Sequence, residues 1–447
     1  MTMNSLNALF LCHDEWSIYL DRRICQQARL LGEAGYRVSI ACFTRGDKPS
    51  HNESPENISI ARRLGFNGSI ILTSYSQCAS LPDEFFGIQA IKNRHNSLKQ
   101  KLNLASYLAA RSLSSAVKSR RLNAYSNKAG WKLSDPLTFD KPLLEAVLLE
   151  HESDSDFQLS DSALVVACDT TTARSGMALR SLFACSLWFD MHEYYSQQSV
   201  FPKQVRNRLY SIEKAMISVA NKTFTVNPLL AKKIENDTGA HIDWLANYLD
   251  TTHLPRLKPR PKDPNQDITI LFHGGAGPFR NIEVLVDALL NLDSKGINAL
   301  FLQSGMSKKQ IRQIAKSRSI EQTGYVSLSA LSVCIANIDA IIIPYPAIDV
   351  NTICCSPNKL GDAIAFLRPI LFNSQLQYLS HLSQSHTPLI PLDFSSSSTL
   401  SQSLLSAIPK IQRLQPSDFD ALRNELGCES QKAKCRSWIS GLANNHW

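Results

Sequence analysis

Asn7-Ala8-Leu9-Phe10-Leu11-Cys12 is a short apolar run closed by the polar His13-Asp14-Glu15, and Asp21 to Ala34 follows it with Ile24, Ala28 and Leu31 at helical spacing. Gly35 ends that helix, and Tyr36 to Phe43 is again strand-like. Strand, helix and strand in this order make a βαβ opening, which implies a parallel sheet covered on both faces. The alternation resumes further on. Ala163 to Cys168 reads as a buried strand, Thr171 to Phe183 as a helix, Leu187 to Phe189 as a strand, Val205 to Ala220 as a helix and Thr223 to Val226 as a strand. Pro228 to Glu235 reads as a helix with Gly239 beyond its end.

Leu254 to Gln266, with four prolines among charged residues, is the best linker candidate. Beyond it the same grammar repeats. Strands are expected at Ile268 to Phe272, Ala299 to Gln303, around Gln322 to Val326, at Ala340 to Ile343 and at Pro369 to Phe372. Helices are expected near Arg280 to Leu290, near Lys308 to Lys316, at Ser329 to Ala336 and from Pro357. The chain is therefore expected to be α/β, with two doubly wound Rossmann-like domains whose strand ends face one cleft. The domains are expected over residues 1–250 and 251–418, followed by a helical stretch over 419–447.

Composition agrees with this reading. At 447 residues the chain is long enough for two cores, and 44% hydrophobic with 19% charged residues is globular composition. No apolar run approaches the ~20 residues of a membrane span. Eleven cysteines show neither a CxxC pair nor a zinc spacing, which suits reduced core residues in a cytoplasmic protein. The net charge of +8 is unevenly placed: Ile91 to Ser134 carries ten Lys and Arg residues and no Asp or Glu. Such a block can attract an anionic membrane surface, although a solvated helix face is the plainer reading. Nucleic acid is not expected as a partner, because no recognised binding motif accompanies the charge.

Two cations stand where a helix should disfavour them. Ser356-Pro357-Asn358-Lys359 reads as an N-cap, a proline at the first helical position, and Lys359 inside the first turn. A cation there costs ~0.3–1 kcal/mol against the helix dipole unless an anion is also present. Likewise, the strand Ile268 to Phe272 runs into His273-Gly274-Gly275-Ala276-Gly277-Pro278, with Arg280 at the start of the next helix. Glycines let backbone N–H groups approach a phosphate that the cation neutralises. Two such ends in one domain suit a diphosphate. The spacing matches neither the GxGxxG of dinucleotide folds nor a P-loop.

In order and spacing these segments resemble the family 4 glycosyltransferases of GT-B fold. Asp21-Arg22-Arg23, Gln27-Ala28, Leu31 and Gly35-Tyr36 look like the opening helix of many members. Trp188-Phe189-Asp190-Met191-His192-Glu193 is similar to their D-x-H-E strand end, and Phe224-Thr225-Val226-Asn227 to their T-V-S segment. Phe272-His273-Gly274-Gly275 resembles their h-G-G turn, and Thr323-Gly324-Tyr325-Val326 their base-binding G-x-V loop. Ile343-Pro344-Tyr345 and Ser356-Pro357-Asn358-Lys359-Leu360 resemble the P-Y and P-N-K-L donor segments of one subset.

The resemblance implies transfer of a sugar from a nucleotide diphosphate donor to a glycan or lipid-linked acceptor, with retention of configuration, and a return of the 419–447 stretch to the first domain. No metal and no cofactor beyond the donor are expected. Donor contacts are expected at Gly274, Gly275, Arg280, Tyr325, Val326, Asn358, Lys359 and Asp362; acceptor-side or catalytic roles at His192, Glu193, Asp169 and His13. Two positions depart from the family pattern. Cys354 and Asp362 stand where members commonly carry two glutamates, and Ala167-Cys168-Asp169 occupies the strand end of the usual acceptor-side histidine. A catalytically inactive binding or scaffold protein and a non-hydrolysing sugar-nucleotide epimerase are the alternatives on the same fold.

Overall fold

The computed structural model describes residues 6–12, 22–44, 59, 61–74, 140–252, 254, 266–275, 280–292, 296–304, 307–324 and 326–444. His13, Tyr325, the basic block 91–134 and most of the 254–266 stretch lie outside the described residues. The chain divides into two compact units, one formed by Met1–Leu245 with Cys435–Trp447 and the other by Ala246–Lys434. The division thus falls a few residues before the proline-rich stretch, and the return falls at Cys435 rather than at Phe419.

The first unit holds a wholly parallel sheet of seven strands in the order β3-β2-β1-β4-β5-β6-β7. These are β1 (Asn7–Leu11), β2 (Arg37–Thr44), β3 (Ile70–Ser74), β4 (Leu164–Cys168), β5 (Ser186–Met191), β6 (Lys222–Thr225) and β7 (Asp243–Trp244). Helices α1 (Arg22–Glu33), α2 (Asp140–Ser153), α3 (Ala173–Phe183), α4 (Lys203–Val219) and α5 (Pro228–Thr238) accompany them. The order reverses direction at β1 and β4, so the C-terminal ends of these strands form a topological switch point. Local signals set the ends: Asn227 caps α5 by accepting from the Leu230 N–H, Pro228 takes the first helical position, and Gly239 closes the helix with φ of 74°.

The second unit has six parallel strands in the order β10-β9-β8-β11-β12-β13. They are β8 (Ile268–Gly275), β9 (Ile297–Ser304), β10 (Ile320–Thr323), β11 (Ala340–Ile343), β12 (Ile370–Asn373) and β13 (Leu389–Leu392). Its helices are α6 (Ile282–Leu290), α7 (Lys308–Ile314), α8 (Leu328–Ala336), α9 (Val350–Ile353), α10 (Asn358–Ala365), α11 (Gln377–Ser383), α12 (Ser397–Arg413) and α13 (Asp420–Leu426). Reversal here falls between β8 and β11. Ala340–Ile343 is buried at all four positions, as expected of an apolar run covered on both faces. No described helix is long and apolar enough to cross a membrane.

The last helix, α14 (Cys428–Asn444), belongs to both units. Its first part lies in the second unit. From Cys435 on, Cys435, Ile439 and Leu442 enter the core beneath the first sheet, beside Phe10, Ile24 and Val166. Trp438 packs edge-on against Trp188 with ring centroids 6.3 Å apart, lies 5.0 Å from the Phe224 ring, and carries the Lys222 ammonium 4.6 Å above its own. Truncating a packed tryptophan removes both contact area and aromatic geometry. Trp438→Ala is expected to destabilise the first unit by about 3 kcal/mol, read as a lower denaturant midpoint for the first unit's tryptophan fluorescence.

Candidate functional site

In the first unit the strand ends at the switch point carry a buried polar node. Asp190, the fifth residue of β5, is fully buried and faces Arg23 from the first turn of α1. Arg23 Nε lies 2.9 Å from both carboxylate oxygens and Nη2 2.7 Å from Oδ1. Gln27, one helical turn further on, donates to Oδ2 at 2.6 Å. Arg23 also donates to the carbonyls of Thr225 (3.3 Å) and Leu245. Burial alone would raise the Asp190 carboxyl, but the Arg23 charge with His192 beside it holds it below the usual carboxylate range. Asp190 is therefore an ionised partner of Arg23 rather than a turn cap.

His192 stands between two carboxylates, with Nε2 3.2 Å from Asp190 Oδ2 and Nδ1 3.5 Å from Asp169 Oδ2. Asp169, directly after β4, also accepts from the backbone N–H of His192 (2.9 Å) and of Glu193 (3.3 Å). It has φ of 65° and ψ of 166°, a region nearly reserved for glycine that costs about 1–3 kcal/mol and persists where its surroundings fix it. The structure thus brings Asp169 and His192 together. Glu193 instead points outward, exposed, and accepts from Gln198. Tyr194 is fully buried, its hydroxyl 3.2 Å from Asp237 Oδ2, and Tyr195 stacks on Phe201.

Glu213 lies underneath this node. It sits on α4 with its side chain fully buried, and Oε1 accepts from Thr170 Oγ1 (2.9 Å) and the Ser196 N–H (3.1 Å). Burial pushes its carboxyl up to about 7. The sequence offered a signal for it: Glu213 falls at helical spacing among Leu209, Ile212, Met216 and Ile217, all buried, so a carboxylate had to be on the inner face.

In the second unit the two expected cations meet over one tyrosine. Lys359 is 4% exposed, and Nζ donates to Tyr345 Oη at 2.9 Å and sits 5.1 Å from the ring centres of Phe272 and Tyr345. The Arg280 guanidinium lies 4.0 Å over the Tyr345 ring. Burial would raise the Tyr345 phenol, but the Lys359 and Arg280 charges outweigh it and bring the phenol below its ordinary value. Asn373 fixes the tyrosine from behind by donating to its carbonyl at 2.9 Å. Tyr345 is thus the central side chain of a cluster in which sequence reasoning had noted only its motif.

Gly274 borders the cluster with φ of 100°, which calls for glycine, and a Cβ there would sit 3.1 Å from Lys359 Nζ and press on the ammonium. Gly275 and Asn358 are exposed, and Val326 is half-buried. Asp362 is fully buried one turn beyond Lys359, with Oδ2 3.4 Å from His273 Nε2. Its carboxyl therefore abuts the glycine-rich turn instead of standing open to a ligand.

The helix start is shifted by one residue from its expected place. Pro357, with φ of −69° and ψ of 151°, is the N-cap, and Asn358 is the first helical residue. Ser356 makes no capping bond: its buried hydroxyl has no hydrogen-bond partner among the described residues, while its carbonyl accepts from Asn247 at 2.9 Å. Lys359 is still inside the first turn. Cys354, buried at the end of α9, offers no carboxylate.

No family model matches the sequence, and no curated protein matches it. Solved structures do match, over essentially the full length. TarM of S. aureus is 10% identical with a TM-score of 0.61, covering 100% of this chain and 99% of its own. HepE from Anabaena, in complex with UDP-glucose, is 11% identical with a TM-score of 0.59, covering 98% and 99%. Sucrose-phosphate synthase from Thermosynechococcus elongatus is 13% identical with a TM-score of 0.56, covering 98% and 99%. The fold is GT-B.

Within this GT-B chain the buried Glu213 generates a measurable pH dependence. Its folded value of about 7 lies above the ordinary 4.5, so the stability it contributes is full below pH 4.5 and is lost as pH rises through 7. Glu213→Gln cannot ionise and should gain on the native protein over that window, by up to about 3 kcal/mol above pH 7. Denaturant unfolding of both proteins at several pH values checks this, and a constant difference across the window would refute it.

Proposed function

We propose that the chain is a family 4-like glycosyltransferase that takes a sugar from a nucleotide diphosphate donor held by the second unit. The observation that carries this reading is the convergence of Arg280 and Lys359 on Tyr345, beside a glycine turn and at the start of α10. A helix opening with a buried lysine in its first turn is explained by an anion that binds there. UDP-glucose bound by HepE, a protein of the same fold, is the precedent for the ligand.

On this reading Arg280 and Lys359 neutralise the charge that grows on the leaving diphosphate as the sugar becomes oxocarbenium-like, while Gly274, Gly275 and Asn358 present backbone to it. Tyr325 and Val326 flank the base. His192, oriented by Asp169 and Asp190, addresses the acceptor, a glycan or lipid-linked sugar; His13 and Glu193 complete that side. Transfer proceeds with retention and without a metal, and the Ile91 to Ser134 block brings the protein to the anionic inner face of a membrane in polysaccharide or glycoconjugate assembly.

A second reading, a GT-B protein that binds without turnover, is favoured by one observation: Cys354 leaves no carboxylate where the resemblance places a donor glutamate. Calorimetry with UDP and GDP, alongside release of nucleotide from a panel of sugar donors, separates the two. Lys359→Ala and Arg280→Ala are each expected to weaken diphosphate binding at least tenfold, the loss of a hydrogen bond to a charged group being about 1.5–3 kcal/mol. His192→Ala should retain donor affinity and lose most of its transfer rate. Normal diphosphate affinity in both cation variants would sink the proposal.

A further inference from the structure

The turn carrying Asp169 and the loop carrying His192 are tied together twice. Above, the Asp169 carboxylate accepts the backbone N–H groups of His192 and Glu193. Below, a single oxygen of Glu213 accepts from Thr170, the residue after Asp169, and from the N–H of Ser196, four residues after His192. The lower tie comes from a helix packed behind both segments, so it fixes their separation without touching what lies in front of them. Thr172 holds the same turn from its other end, donating to the Cys168 carbonyl at 2.9 Å. A backbone as strained as that of Asp169 needs such over-determination to persist.

We propose that Glu213 is a positioning residue for the Asp169–His192 pair, setting its geometry through Thr170 and Ser196. The inference rests on the acceptor-side reading of His192 given above. Its second oxygen, Oε2, is buried with no hydrogen-bond partner among the described residues, so the side chain is held by Oε1 alone. The charged and titratable groups around it are Asp169 at the turn above, Tyr194 on the loop above, and Asp237 of α5 beyond that tyrosine. Asp169 repels a Glu213 anion, whereas Thr170 and Ser196 favour one, so ionisation of Glu213 strengthens the lower tie while loading the upper one.

The amide shifts of His192, Glu193 and Ser196, followed from pH 5.5 to 8.5 in the ligand-free, isotope-labelled full chain, test this directly. A common step near pH 7 is expected in the native protein and should be absent in Glu213→Gln. Thr170→Val, which removes one donor from the anion, should retain the step and move its midpoint upward; a merely structural residue would move no midpoint. In transfer assays Glu213→Gln should lower kcat by about tenfold or more with UDP affinity unchanged by calorimetry. Identical His192 and Glu193 amide profiles in the native and Glu213→Gln proteins would overturn the proposal, as would a loss of UDP affinity that matches the loss in kcat. If the amides respond as expected and the native protein transfers sugar from no donor, the enzymatic reading fails and the positioning role stands.

Discussion

A guanidinium and a carboxylate sealed away from water, Arg23 with Asp190, hold the first unit's site in place. Removing either partner alone would strand a buried charge at a cost of about 3–5 kcal/mol, so neither can vary by itself. The pair joins the first helix to the middle of the sheet, and through two carbonyls it also grips the end of β6 and Leu245, the last residue before the chain enters the second unit. His192 leans on the same carboxylate from the other side. His192 is therefore placed by the interaction that orders α1, and cannot be repositioned without disturbing that helix.

The second unit solves a different problem, that of keeping two cations together around one buried tyrosine. Burying an ammonium with no compensating group is expensive. Lys359 is accommodated by a phenol oxygen and two aromatic faces, and Arg280 stacks on the outer face of the same tyrosine. These contacts are polar and polarisable without carrying a full negative charge. They hold the two cations in place without neutralising either.

Much of this was legible in the sequence, and the parts that were not share a cause. Periodicity identified β11 to the residue and the helices after β1 and β5 to within a few, because apolar spacing reports local burial. Lys359 and Arg280 were conspicuous because a cation at a helix start contradicts a local rule. The Arg23–Asp190 pair was invisible because its members stand 167 residues apart and each alone looks like a surface charge. The signal of Glu213 lies in its helical phase alone, and that of Tyr345 emerges only in space, where Lys359, Arg280 and Asn373 converge on it. The expected and observed helix starts differ by one residue because the pattern of small polar residue, proline and helix fits two registers. The elements β3 and α2 fall where the resemblance to known enzymes is thinnest, and β7 is two residues long, too short for any period to show.

The double membership of α14 bears on how the molecule is made. During synthesis the seven strands of the first sheet all emerge before any of the second, yet the core beneath them lacks Cys435, Trp438, Ile439 and Leu442 until α14 follows the whole second unit. The downstream unit, whose residues are contiguous from Ala246 to Lys434, has its full complement of core side chains first. This departs from the usual N-terminal-first order of domain folding, since the upstream core cannot close before the downstream unit has been made. Until then Trp188 and Phe224 lack the ring that packs against them in the native structure.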